Sequence, residues 1–181
     1  LIVVLGDQLD RESAVFDDFD PALDAIWMAE VAGEATHVWS SKPRIAIFLA
    51  AMRQFRDELF AKGYRVFYRG LDEHEHASLE EALAVDLASL KPRRVLAVKP
   101  GEWRLAQALP LVCERAGVAW VERHDRHFYC DERDFSEWAK GRKEYRLEYF
   151  YRMLRKRENL LMDKGEPIGG KWNFDADNRG S

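Results

Sequence analysis

Cysteine is scarce in this sequence. Only Cys113 and Cys130 occur in 181 residues, too few for a disulfide framework and not spaced as a C-x-x-C metal or redox motif. Such a chain suits a reducing compartment, so a cytoplasmic location is expected. Long apolar runs are missing too: none approaches the roughly 20 residues that cross a bilayer, and no membrane partner is expected. No basic start followed by a short apolar stretch marks a secretory leader, and the sequence opens at Leu1. G-x-G-x-x-G and G-x-x-x-x-G-K-[ST] are both absent, which removes the dinucleotide fingerprint and the phosphate-cradling P-loop. G-x-S-x-G and H-E-x-x-H are absent as well, and no catalytic residue is assigned. Nor is there an excess of basic charge. Lys and Arg number 28 against 32 Asp and Glu, a net charge of −4, which makes no global case for nucleic-acid binding.

What is present is the pattern of a globular domain. Hydrophobic residues make up 47% and charged residues 33%, enough to bury a core under a wet surface. The chain is organised around its opening stretch, LIVVLGDQL. Leu1 to Leu5 is an unbroken apolar run of the kind that fills a strand buried on both faces. Gly6, Asp7 and Gln8 then break it. In an open parallel sheet, ligands bind beyond the carboxyl ends of the strands, so this turn is a candidate pocket wall. Ala25 to Glu30 reads as a second strand that also ends in an acid. The acids between them, Asp17, Asp18 and Asp20, lack calcium-loop spacing and read as a solvated loop.

Lys42 to Lys62 is the strongest helical segment. Ile45, Phe48, Leu49, Met52, Phe55 and Leu59 form one stripe at helical spacing, and Gly63 stops it. Tyr64 to Tyr68 is a third strand. His74 and His76 follow among acids, where a solvated loop outweighs a metal site. S-L-E-E from Ser78 reads as a capping box with Glu81 as its second arm. Val95 to Val98 is a fourth strand, ending in Lys99-Pro100-Gly101-Glu102. Trp103 to Ala116 is a helix, and Val118 to Val121 a fifth strand. This alternation predicts an α/β fold: a Rossmann-like, open, mainly five-stranded parallel sheet with flanking helices over residues 1–127.

From Phe128 the character changes to helical, aromatic and basic. Between Lys140 and Arg157 stand eight Lys or Arg and two Glu. Lys140, Arg142, Lys143, Arg146, Arg152 and Arg155 are candidate contacts to DNA or to another domain; the alternative is a solvated helix whose aromatics pack inward. Residues 128–181 thus form a helical, basic segment leading into a connector. Gly165 to Asn178 is Gly-, Pro- and Asp-rich, and its Trp172 and Phe174 call for burial.

Several stretches resemble a known family: LGDQL, the Glu30-x-x-x-Glu34 turn, KPRIAIFLAAMRQF, KPGEWR, FSEWAKGRK, LEYFYRMLRK and LLMDKGEPIGGKWNFDADNR. Together they are similar to the N-terminal part of the deoxyribodipyrimidine photolyase-related proteins, the bacterial iron–sulfur (6-4) photolyases of the cryptochrome/photolyase superfamily. The resemblance implies an α/β antenna domain, with 6,7-dimethyl-8-ribityllumazine as chromophore. FAD and a [4Fe–4S] cluster belong to a C-terminal helical domain that this sequence does not include. It implies an antenna site of Gly6, Asp7, Gln8, Glu30, Glu34, Phe48, Pro100, Gly101 and Glu102, with no metal ligand here. Glycines at 6 and 101 would allow close backbone approach, the polar groups would bond a ribityl chain and ring edge, and Phe48 would pack on the ring. The chain departs from the family's pattern at Trp39-Ser40-Ser41, where relatives often carry paired histidines, and at Phe48, where a smaller aliphatic residue occurs. The implied partners are the C-terminal helical domain and, through the whole protein, UV-damaged DNA. The implied function is light harvesting for a photolyase. A nucleic-acid-contacting module or a stand-alone ribityl- or nucleotide-binding domain are the alternatives.

Overall fold

The computed structural model describes residues 1–174. The chain divides into two compact units, Leu1–Arg126 and His127–Ser181, the second described as far as Phe174.

Unit 1 is an open sheet of five parallel strands: β1 (Ile2–Val3), β2 (Ile26–Ala29), β3 (Val66–Arg69), β4 (Arg94–Val98) and β5 (Ala119–Arg123). Their order is β3-β2-β1-β4-β5, so the opening strand is central. The chain pairs outward from β1 on one side, then returns to begin again on the other. That reversal is the switch point at which open α/β sheets form a ligand crevice. The expected α/β fold is therefore the observed one. Helices α1 (Ala32–Thr36) and α2 (Lys42–Ala61) connect β2 to β3, α3 (Leu79–Leu90) connects β3 to β4 and α4 (Trp103–Arg115) connects β4 to β5, while β1 reaches β2 through a loop with one short 3-10 turn, Ala14–Phe16.

Strand alternation explains why the apolar runs are continuous. Val3, Leu5, Trp27, Ala29, Val95 and Ala97 face one core, with Leu83 and Leu87 of α3 and Leu109 and Cys113 of α4. Ile2, Val4, Ile26, Met28, Leu96 and Val98 face the other, with Met52, Phe55 and Leu59 of α2. Period-2 alternation divides each strand between two apolar layers, so no polar face is needed. Burial pushes the Cys113 thiol up to about 11, which keeps it an inert packing group.

Three local expectations change. The stretch after Glu30 includes a short helix, α1, too brief to announce itself by periodicity. The Ser78 cap accepts the Glu81 amide at 3.2 Å, but the Glu81 carboxylate turns to the Ala77 amide at 2.9 Å instead of the cap residue's own. A reciprocal capping box is found at Asp131 and Asp134. The α2 stripe is buried only from Met52 onward; Ile45 and Leu49 are half-buried and Phe48 is 42% exposed.

Unit 2 holds α5 (Glu132–Ala139), α6 (Leu147–Arg157) and a hairpin of β6 (Met162–Asp163) and β7 (Glu166–Pro167). Lys164 and Gly165, both at positive φ, make the hairpin turn. Phe135, Trp138, Tyr145 and Phe150 form an aromatic cluster, with Phe135 and Phe150 edge to face at 5.3 Å. Among the described residues no helix is long and apolar enough to cross a membrane, and no His, Cys, Asp or Glu group is arranged to hold a metal ion. Asp17 and Asp18 instead pair with Arg126 and Arg123, each at 2.8 Å.

Candidate functional site

A cavity of about 230 Å³ opens at the carboxyl ends of β1 and β2, between α2 and the start of α4. Leu5, Gly6 and Asp7 come from the end of β1, Ala29 to Val31 from the end of β2, and Glu34 and Ala35 from α1. The first turns of α2 contribute Arg44, Ile45, Phe48 and Leu49, and the rim of α4 contributes Glu102 and Leu105. One wall is apolar and the opposite rim is acidic. The upper α2 stripe thus lines this cavity, where helical periodicity alone predicted core.

Of the candidate residues, the structure brings together Gly6, Asp7, Glu30, Glu34, Phe48 and Glu102. Gln8, Pro100 and Gly101 stand outside the lining. Gln8 donates from Nε2 to the Lys99 carbonyl at 3.0 Å, tying the two strand ends together. Gly6 is needed for a reason different from close ligand approach. A Cβ there would stand 2.6 Å from the Phe48 ring and 2.8 Å from the Met52 sulfur, so its bareness admits these side chains. A Cβ at Gly101 would meet only Asp7, at 3.7 Å, an ordinary contact.

The acids differ in what holds them. Glu30 has a fully buried side chain, clasped by Arg53 in two 2.7 Å bonds, by the Tyr68 hydroxyl and by the Leu71 amide at 3.0 Å. Burial alone would raise its pKa; the bonds from Arg53, Tyr68 and Leu71 outweigh that and hold it below the usual carboxylate range. Tyr68 is pushed up by burial and by the same carboxylate. The Glu30 carbonyl accepts from His74 Nε2 at 2.9 Å. His74 Nδ1 accepts the His76 amide at 3.1 Å, so the Nε2–H tautomer is the one that serves both bonds. These contacts close the β3–α3 loop over the end of β2.

Across the cavity Arg104 gathers Glu34, Glu102 at 2.9 Å and Glu80 at 3.2 Å. Asp7 has no cationic partner among the described residues. Its side chain is open to solvent but crowded by concave walls. That desolvation raises its pKa, and the charges of Glu102 and Asp125 add to the rise despite a backbone bond that opposes it.

Arg53, Tyr68 and Arg104 are site residues that sequence reasoning missed. A signal existed for the first: a carboxylate closing an apolar strand must be paired when buried. Arg104 lies two residues beyond Glu102, in the first turn of α4.

In unit 2 the basic candidates are mostly engaged internally. Lys140 pairs with Glu137 at 2.5 Å, Arg146 with Glu144 at 2.9 Å, and Arg152 with Glu148. Arg142 donates to the Trp138 carbonyl at 2.7 Å and lies 4.6 Å over its ring. Arg155 is buried and caps the Leu160 carbonyl at 3.0 Å. Lys143 is exposed and has no partner among the described residues. Trp172 lies 5.3 Å from both Arg152 and Arg155 and 5.4 Å from Lys156, so it packs on α6 as its type requires. Phe174 is exposed, and residues 175–178 of the expected connector, like the end of the GGKWNFDADNR motif, lie outside the described residues.

An open parallel α/β sheet with a part-apolar, part-acidic cavity at its switch point defines a Rossmann-like α/β domain. The family is equally definite. The deoxyribodipyrimidine photo-lyase-related protein family model matches residues 2–181, and the chain belongs to that family. It is 40% identical, over 182 aligned residues and 99% of its length, to the (6-4) photolyase of Agrobacterium fabrum (strain C58 / ATCC 33970). The chain spans 36% of that protein's length.

Proposed function

We propose that this chain is the antenna domain of a light-driven, photolyase-related flavoprotein, and that the cavity at the end of β1 holds a ribityl-bearing ring, with 6,7-dimethyl-8-ribityllumazine as the chromophore. The observation that carries this reading is Asp7. Every other acid at the cavity has a cationic clasp, whereas Asp7 faces the cavity with a backbone bond and no cationic partner among the described residues. A carboxylate so placed suits the hydroxyls of a polyol and disfavours a phosphate. Leu5, Ile45, Phe48, Leu49 and Leu105 offer the ring an apolar wall. The residues present therefore fit the group.

When bound, the chromophore supplies near-UV and blue absorption. The chain's own residues bind and orient it: Asp7 at the polyol, Glu34 and Glu102 held in place by Arg104, and α2 along the ring. No general acid, base or nucleophile is required. In the whole protein FAD and the [4Fe–4S] cluster belong to the C-terminal helical domain, the partner to which excitation passes, and UV-damaged DNA is the substrate.

Equilibrium dialysis of the 181-residue chain against the lumazine tests the reading. One-to-one binding with a displaced absorption band is expected. Asp7→Asn weakens it about tenfold, the scale of a hydrogen bond to a charged group. FMN binds less tightly than riboflavin because of its phosphate. Absence of any ring-ligand binding overturns the proposal.

A further inference from the structure

We infer that the connector between α1 and α2, residues 37–41, is a strap that carries Trp39 over the mouth of the cavity and clamps an aromatic ring there. The inference rests on the reading of the cavity as a ring-ligand site and names the residue that retains the ligand.

The connector is anchored to the cavity at both ends. Glu34 and Ala35 precede it in the lining, its own Ser40 belongs to the lining, and Arg44 follows. Between these lining positions the chain exposes two large apolar side chains: Val38 at 70% and Trp39 at 90%. An indole left almost wholly in water has no packing role in the fold. Trp27 in the same unit shows the usual alternative, fully buried with its Nε1–H donating to Asp86 at 2.8 Å. An exposed apolar group at the edge of a cavity gains most by closing on something apolar that enters it.

The strap is also free to move. No backbone hydrogen bond of ordinary geometry is made by Val38, Trp39 or Ser40. On one side α1 buries no residue, and on the other the Ser41 cap lacks a side-chain bond. Segments with few buried contacts and few backbone bonds open at low cost. One lateral tether crosses the mouth, from His37 Nε2 to Glu102 Oε1 at 3.8 Å. Beside Glu102 stands a second exposed indole, Trp103 at 77%, so the mouth has an aromatic group on each flank. The enclosed volume, about 230 Å³, falls under the roughly 300 Å³ at which ordinary small-molecule sites begin. A ring with a polyol tail therefore projects into the mouth, where the strap lies.

The test uses the whole chain labelled with 5-fluorotryptophan, with the lumazine as probe and riboflavin as a second ring. Stopped-flow displacement of bound lumazine should be about tenfold faster from Trp39→Ala than from the parent chain, and Trp39→Phe should restore most of the difference. The fluorine resonance that vanishes in Trp39→Phe should shift and lose solvent exposure at saturation. Because Trp39 is already exposed, both variants should keep the parent's melting temperature. Equal dissociation rates with an unmoved Trp39 resonance, in a parent chain that does bind the ring, overturn the strap and leave the cavity reading standing. A parent chain that binds neither ring overturns both.

Discussion

The two halves of α2 carry the same apolar stripe and meet different ends. From Met52 to Leu59 the stripe is buried against β1, β2 and β4. From Ile45 to Leu49 it runs past the ends of the strands and lines a cavity, and Met52, at the junction of the two halves, also reaches that lining. Periodicity cannot distinguish the two because it reports which face of a helix is apolar, and a ligand and a sheet ask for the same face. Where the strands stop decides the difference. β1 and β2 end at Val3 and Ala29, so the helix outlasts its sheet.

Four substitutions would break or sharpen that contrast. The largest effect is expected in the sheet-facing half: Phe55→Ala should cost about 3–4 kcal/mol in chemical denaturation, as truncation of a buried aromatic does. Glu30→Gln comes next, at about 2 kcal/mol, since Arg53 and Tyr68 lose the charge they converge on. This variant also tests pH dependence. Glu30 is held below its unfolded pKa, so it contributes stability that is present above about pH 4 and lost as the pH falls through its folded value. Acid titration of the parent by circular dichroism should show that loss, and Glu30→Gln should flatten it. Gly6→Ala should cost about 1 kcal/mol, because Phe48 and Met52 must give way; in Gly6→Ala/Phe48→Ala most of that cost should vanish. Phe48→Ala alone should change thermal stability by less than about 0.5 kcal/mol while weakening ring binding measurably. Equal destabilisation by Phe48→Ala and Phe55→Ala would erase the distinction between the two halves.

Much of the fold was legible in the residues, because five apolar runs, the last four separated by helical segments, leave little choice but a parallel sheet with both faces covered. The end of β1 was legible as a pocket wall for the same reason: Gly6 and Asp7 follow Leu5 without transition. What stayed hidden was how each acid is used. Asp7 and Glu30 look alike as strand-ending carboxylates, yet Glu30 is clasped by Arg53 of α2 and Asp7 has no cationic partner among the described residues. Sequence distance conceals such pairings, and only a buried-charge argument would have pointed to Arg53. The basic run from Lys140 was ambiguous because arginine serves both as a phosphate contact and as a cap and stacking group. Arg155, buried under its own loop carbonyls, shows the second use.

The clasp at Glu30 has a consequence in time as well as in space. The Glu30 carboxylate joins the end of β2, the middle of α2, Tyr68 and the Leu71 amide, and the backbone carbonyl of Glu30 takes His74. The loop that follows β3 is therefore not free to breathe alone. Hydrogen at the Leu71 amide can exchange with solvent only when the carboxylate lets go, so its exchange clock is set by the helix and sheet it bridges and runs slower than that of an ordinary surface turn.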